Sequence, residues 1–311
     1  MPSRRPPLLF PALALYLLIA SGTFLVAKAT LREFPPLVLC LLRFTLAAAI
    51  LWPIARVAGG RVRIAPGDRP WVVLLGALSV PLNQGLFLFG MQWASASHGA
   101  LLYALTPAFV VLIGVVRGER PTLLQIIGVG LAFAGVLTLL LMRGLHFDRH
   151  SLLGDLIVLG AVVSWALYTA LGRKYTLRYG ALALTGQTML AGWLLFLPIG
   201  LLSLRGFHPS AVSLGGWAGL AYMAVLTSAL SYVIWYWGLA HLKSSSVALL
   251  TNLQPLVTAA MAWLILHERL PAGFALSTAL VLGGVWLAQG RVAWGGRRGA
   301  SDPRPTGRSS P

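Results

Sequence analysis

Cysteine and acidic residues are both scarce in this chain. Of its 311 residues, one is a cysteine (Cys40) and seven are aspartates or glutamates. A single cysteine excludes a disulfide framework and a cysteine-rich metal site. Charged residues make up only 10% of the sequence, whereas soluble domains have about 25%. The sequence also lacks metal-ligand spacings, a phosphate-binding loop and a Ser/His/Asp grouping, so we expect no catalytic residue, metal or cofactor.

Long apolar runs are what the sequence has instead. Hydrophobic residues make up 58% of it, and the mean hydropathy is +0.81. About 20 apolar residues cross the roughly 30 Å hydrocarbon layer of a bilayer as a helix. The runs predict ten spans: Leu8–Ala29, Leu37–Ile54, Trp71–Met91, Ser97–Val116, Leu123–Leu141, Leu152–Leu171, Ala181–Leu204, Gly216–Leu239, Ser244–Leu266 and Ala272–Ala293.

The basic residues indicate the orientation of these spans. They fall in short clusters between the apolar runs and form no single basic face, so nucleic acid is not an expected partner. With the N-terminus inside, 17 of the 24 lysines and arginines lie on the cytoplasmic side. This bias predicts a multi-pass protein of the cell membrane, a bacterial inner or plasma membrane, with both termini cytoplasmic. The tail 295–311 is expected to be disordered and cytoplasmic.

Two parts of the chain resemble each other at an offset of 148 residues, with one residue of slip near their ends. Paired at that offset are Gly90 with Gly238, Ala100 with Ala248, and Pro107 with Pro255; after the slip come Glu119-Arg120 with Glu268-Arg269, and Gly135 with Gly284. Each half, 8–143 and 152–293, has five predicted spans. Because five is odd, the halves enter the membrane from opposite sides. The predicted fold is therefore an all-α membrane protein of ten transmembrane helices in an inverted 5+5 repeat.

These blocks resemble those of the drug/metabolite transporter superfamily, EamA-like family, over nearly all of 8–293. The resemblance also rests on Arg43-Phe44, on Gly154-Asp155 and on the run from Ser164 to Tyr168. It implies ten helices and a central cavity lined by spans 1–4 and 6–9. Two features depart from the family pattern. Ala20 stands where a tryptophan is frequent, and the proline-to-glutamate spacing is one residue shorter in the first half.

The repeat and the resemblance together indicate a secondary transporter of small organic metabolites that works by alternating access. Efflux of amino acids or related metabolites is implied by the resemblance. An uptake transporter and a membrane-embedded enzyme are the alternatives, although the histidines are scattered and no two acidic residues share a span. The expected partners are a small-molecule metabolite and the lipid bilayer, and a monomer is the working expectation.

Two prolines are the candidate gating elements. Pro107 and Pro255 are predicted near the middle of spans 4 and 9. A helical proline lacks an N–H and frees the carbonyl four residues earlier. Bilayers tolerate such a break where the freed groups find partners or line a cavity. We expect cavity-facing kinks; kinks satisfied by neighbouring helices, without substrate contact, are the alternative.

Arg43 is the charged residue predicted inside a span. Its burial costs at least about 2.5–3.5 kcal/mol unless it meets water or a partner. It could bind a substrate carboxylate, but a structural role is favoured. The other cavity candidates are neutral polar or aromatic residues that could equally hydrogen-bond between helices. They are Asn83, Gln84, Tyr103, Thr106, Tyr168, Gln187, Ser231, Asn252 and Gln254.

Acidic residues and histidines are placed in loops, at helix ends or in the tail. Glu119 and Glu268 are expected to pair with the arginines that follow them, and Lys28 is expected to extend outward from its helix end. Without an interior carboxylate, the sequence predicts transport down the substrate's own gradient without an obligatory proton. A Glu268 side chain that reaches the cavity would contradict this.

The topology can be tested with single cysteines in a Cys40→Ser background. Replacing Arg61 and His146 with cysteine, one at a time, places a thiol in the predicted 2–3 and 5–6 connections. We expect an impermeant thiol reagent to label them from opposite sides of the membrane. Labelling of both from one side would contradict the ten-span topology.

Overall fold

The computed structural model describes residues 8–58, 62–141, 149–231, 234, 253–268, 270 and 273–289. The candidate Asn252 and the tail 295–311 lie outside these residues. The regular secondary structure of the described residues is helical throughout, which confirms the all-α class. The predicted count of ten spans stays a prediction, because much of predicted spans 8 and 9 is outside the described ranges.

The helices are numbered in chain order, and two segments are π-helices, with wider turns. They are α1 (Leu9–Thr30), α2 (Pro36–Ala58), α3 (Arg69–Ala77), π1 (Leu78–Gly85), α4 (Leu86–Met91), α5 (Ala96–Tyr103), α6 (Thr106–Val116), α7 (Leu123–Leu141), α8 (Arg149–Tyr179), α9 (Ala181–Ser203), α10 (Leu214–Ala221), π2 (Tyr222–Leu230), α11 (Gln254–Leu266) and α12 (Phe274–Gln289). Short 3-10 turns lie at Pro66–Asp68 and Pro209–Ala211.

Among the described residues, seven helical stretches are long and apolar enough to cross a membrane. Shorter apolar helices follow at Leu214–Leu230, Gln254–Leu266 and Phe274–Ala288. Large apolar side chains also cover the outside, and Trp263 and Trp286 are each about 60% exposed. Such an exposed apolar surface is unfavourable in water, and it fits contact with lipid.

The central helices form two groups. In one, α8 packs against π1, α4, α5 and α6. In the other, α1 packs against α10, π2 and α11. We call these the α8 group and the α1 group. The pair α2 with α9 connects the groups, since α2 packs against π2 and α9 packs against π1. Helices α7 and α12 pack against each other, and both contact α6. Because α1 and α8 begin the two sequence halves, each half contributes its first helix to the other half's group.

The contact between α7 and α12 is reciprocal. A Cβ atom built on Gly135 would lie 2.8 Å from the Val281 side chain, and one on Gly284 would lie 2.4 Å from the Ala132 backbone. At the repeat offset, Gly135 corresponds to Gly284 and Ala132 to Val281. The same contact is therefore made twice, as a two-fold relation between the halves requires. Small residues allow this close approach, which is how membrane helices associate.

Helix α8 is longer than predicted: it ends at Tyr179, whereas the predicted end was Leu171. The extra turns carry charged residues, and for that reason the sequence did not predict them as part of a membrane span. Asp68 stabilises them by accepting hydrogen bonds from Arg178 at 2.6 Å and from the Tyr179 hydroxyl at 2.5 Å. The Tyr175 ring also stacks on Trp71. The extension is thus a water-side helix end held by the connection that precedes α3.

The glycine contact predicts a sharp difference between two alanine substitutions. In Gly284→Ala the new methyl group would clash with backbone atoms of α7, so the helices must separate. We expect a loss of about 1–3 kcal/mol of stability. Gly130→Ala on α7 is the control, because a Cβ there meets no atom within 4 Å. The measurement is the melting temperature of both purified variants in one detergent, and equal values would contradict the contact.

Candidate functional site

The chain is broken midway along the predicted fourth span. Helix α5 ends at Tyr103 and α6 begins at Thr106, with a turn at Ala104 and Leu105. Pro107 lies in the first turn of α6. Because proline has no backbone N–H, it cannot donate a hydrogen bond to the Tyr103 carbonyl. The Thr106 hydroxyl donates to that carbonyl instead, at 2.7 Å. The structure therefore shows two helices, where the sequence predicted one kinked helix.

A hydrogen-bonded network lies beside this break. Asn83 is fully buried on π1, and its amide nitrogen donates to the Tyr103 hydroxyl and to the Ala161 carbonyl, both at 2.8 Å. The Gln84 amide donates to the Asn83 side-chain oxygen. The Tyr103 ring packs edge-on against Phe24 of α1 and Phe87 of α4. Three predicted candidates thus meet at one place, between the two groups.

The π-helix π1 positions Asn83. Pro81 lies inside this segment and removes one backbone donor, which favours a local widening of the helix. The Leu78 carbonyl accepts a hydrogen bond from Ser164 of α8 at 2.9 Å. The irregular backbone is therefore satisfied by a neighbouring helix, as the bilayer interior requires.

Arg43 is buried, with 3% of its surface exposed. Its Nε donates to the Ser228 hydroxyl of π2 at 3.1 Å, and its guanidinium lies 5.2 Å from the centre of the Phe44 ring. It also lies within electrostatic range of the Tyr103 hydroxyl. Arg43 thus links α2 to π2 and adds a positive charge near the network.

The other candidates do not join this network in the described structure. The Tyr168 hydroxyl interacts with Thr188 at 3.3 Å, and Gln187 is half-buried on α9. Ser231 is buried, and its hydroxyl has no hydrogen-bond partner among the described residues. Gln254 donates to the Ala20 carbonyl of α1 at 3.2 Å. These side chains are placed between helices, and a role in a cavity stays a prediction.

Pro255 lies in the first turn of α11, as Pro107 does in α6. The carbonyl that Pro255 would free belongs to Thr251, outside the described residues. Ser21 of α1 donates weakly to the Gln254 carbonyl at 3.4 Å, and Thr258 donates to the Ser21 carbonyl at 3.3 Å. The start of α11 is therefore attached to α1 by polar contacts.

A buried pair near one end of the bundle has no role predicted from the sequence. His98 Nδ1 lies 3.0 Å from a carboxylate oxygen of Asp155, and both residues are at most 5% exposed. The pair attaches α5 to α8. Its signal in the sequence was an aspartate at a helix start, which also suits a helix dipole. Among the described residues, no group of side chains suits a metal ion.

The sequence profile of the EamA-like transporter family matches residues 10–141 and again residues 152–289. The chain belongs to the EamA-like transporter family. This confirms the resemblance seen in the sequence. The chain is therefore a multi-pass membrane transporter, with the bilayer as its solvent and a small molecule as its cargo.

Individual relatives cover almost the whole chain. An uncharacterized transporter of Archaeoglobus fulgidus is 32% identical over 88% of this chain and 95% of its own. A protein of Streptantibioticus cattleyicolor described as a "probable terminal-alkyne amino-acid exporter" is 30% identical over 94% of this chain and 96% of its own. A solved crystal structure with 21% identity superposes at a TM-score of 0.62, covering 95% of this chain and 100% of that one. That last likeness supports the fold.

The network predicts that one hydroxyl matters more for transport than for folding. Tyr103→Phe removes the acceptor for Asn83, whose amide keeps its bond to Ala161. We expect a stability loss of about 0.5–1.5 kcal/mol, with a larger loss of transport rate per folded molecule. Tyr222→Phe is the control, because it also removes a tyrosine hydroxyl, which here donates to the Ile19 carbonyl and does not contact Asn83. Equal transport losses in the two variants would show that the Asn83 network has no special role.

Proposed function

We propose that this protein exports amino acids or closely related small metabolites by alternating access. The observation that carries the proposal is the neutral polar network of Asn83, Gln84 and Tyr103, buried at a helix break between the two groups of a family transporter. Buried amides and hydroxyls in a transporter interior suit the orientation of a polar but largely uncharged solute.

The charge around the break favours a carboxylate. Helix α6 begins at Thr106 in the interior, and the start of a helix carries a partial positive charge. Arg43 adds a full positive charge within range of Tyr103. Discontinuous helices in transporters use such helix starts to face anionic substrate groups. The described acidic residues lie near the ends of the bundle, which disfavours a cationic substrate.

The two groups supply the moving parts of the proposal. We propose that the repeats 8–143 and 152–293 contribute to both groups and that the groups rock against each other around the network. Pro107 and Pro255 act as gating positions, since each allows a helix to break inside the membrane. Both termini are proposed to be cytoplasmic, in a bacterial inner or plasma membrane.

Export, rather than uptake, rests on the family and on the relative described as an amino-acid exporter. Uptake remains the second candidate, because inverted repeats serve either direction. Enzymatic activity is not part of the proposal, since the matched proteins are described as transporters.

The proposal is tested with purified protein in proteoliposomes. A panel of radiolabelled amino acids should exchange against the same unlabelled amino acid inside, and hydrophobic members should exchange fastest. An imposed pH gradient with equal substrate on both sides should cause no net accumulation. In cells, overproduction should increase tolerance to toxic amino-acid analogues, whereas increased sensitivity would indicate uptake. Absence of exchange across the panel would contradict the substrate class.

A further inference from the structure

The two groups meet at one end of the bundle. Helix α5 of the α8 group packs against both α11 and α1 of the α1 group. This is the end predicted to face away from the cytoplasm, and we call it the outer end. If the groups rock as proposed, α5 must move away from α1 and α11 before a solute can pass there.

Lys28 of α1 bonds across this contact. Its ammonium donates to the carbonyls of Met91 at 3.1 Å, Gln92 at 2.9 Å and Ala94 at 2.7 Å. An ammonium has three N–H donors, so these bonds use its full capacity. The acceptors lie at the C-terminal end of α4, where the helix dipole places negative partial charge. The sequence predicted that Lys28 extends outward, and this prediction is wrong. Lys28 instead joins the α1 group to the α8 group.

Glu268 makes a second bond across the same contact. It follows α11, and its carboxylate accepts a hydrogen bond from the Ser97 hydroxyl in the first turn of α5, at 2.8 Å. Its negative charge also acts on Lys28. Lys28 and Glu268 are both half-buried, so water screens their attraction only in part. Glu268 also borders an open surface depression, so water can reach it.

The repeat supplies a natural comparison in Glu119. Both glutamates follow a helix that ends with a left-handed residue, Gly118 at φ 88° and His267 at φ 52°. Glu119 is exposed, and its carboxylate lies against Gly114 of its own helix. The two motifs thus share their local chemistry, but in this structure only the Glu268 side chain is shown bonded to the other group.

We propose that Lys28, Ser97 and Glu268 form the outer gate of the transporter. Their bonds join the two groups directly, and opening the outer end breaks all of them at once. Hydrogen bonds with a charged partner are roughly twice as strong as neutral ones, so the set holds the outer end closed until substrate binding offsets the loss. The inference rests on the proposed alternating access and names what controls one of its two states.

The gate can be tested by measuring a distance between spin labels in lipid nanodiscs. In a Cys40→Ser background, cysteines replace Leu153 and Leu214, which are exposed near the outer ends of the α8 and α1 groups. Double electron–electron resonance then reports their separation. A reference pair at Leu153 and Leu177 lies along α8, roughly 36 Å apart at 1.5 Å per residue, and reports whether the helix is intact.

We expect the parent protein to show mainly the short cross-group distance. Lys28→Met should move the population toward longer distances, with a roughly tenfold rise in the open-to-closed ratio, since three charge-assisted bonds are lost. Glu268→Gln and Ser97→Ala should give smaller shifts in the same direction. Glu119→Gln is the matched control and should leave the distribution unchanged. The reference distance should stay constant in every variant.

Cross-group distances that coincide in the parent, the Lys28 variant and the Glu268 variant would overturn the gate. A parent that shows mainly the long distance would overturn it as well. If Lys28→Met loses the reference distance, Glu268→Gln and Ser97→Ala decide the question, since they keep the cation. The measurement needs no substrate, so opening without exchange of any amino acid would refute the proposed substrates and leave the gate standing.

Discussion

Inside a bilayer each backbone polar group must find a hydrogen-bond partner within the protein. The Tyr103 carbonyl is the group whose need for a partner shapes the interior of this protein. Pro107 cannot donate to it, so the chain turns and the Thr106 hydroxyl takes over. Ending α5 there places the Tyr103 ring between the two groups and its hydroxyl beside Asn83. The start of α6 is exposed to the same region. One unavailable N–H thus creates a polar centre in a chain that is 58% hydrophobic.

The parts of the bundle differ in the kind of contact that holds them together. The α7–α12 pair is held by small residues that let the two backbones touch. Among the described residues this contact contains no side-chain hydrogen bond, and its close packing leaves little room for the helices to shift. The central groups also pack against each other, but at the outer end side-chain hydrogen bonds cross between them. Such bonds can be exchanged for water when the ends separate. Close packing therefore suits α7 and α12 as a fixed support, while the polar contacts suit the parts that move in the proposed cycle.

Hydropathy predicted most helix positions well, because a span is defined by apolar length alone. It missed the last turns of α8, which depend on a distant aspartate, Asp68, that no local pattern reveals. Among the site candidates, Asn83, Gln84 and Tyr103 were identified and are brought together. Tyr168 was identified on the same grounds, but it bonds to Thr188. Depth in the membrane can be read from sequence, whereas rotation about the helix axis cannot when a helix is apolar on every face.

The spacing between proline and glutamate differs by one residue between the two halves, and the structure shows where that residue goes. Helix α6 has 11 residues and α11 has 13, but Glu119 follows the end of its helix by three residues and Glu268 by two, which leaves a net difference of one. The Glu119 N–H bonds to the Gly114 carbonyl, five residues earlier in the chain, whereas the Glu268 N–H bonds to the Ala262 carbonyl, six residues earlier. One residue turns a helix by about 100°, enough to direct one carboxylate onto its own helix and the other toward a neighbour. If the groups rock as proposed, this offset makes the two ends of the bundle inequivalent, so the empty protein rests in one form rather than the other.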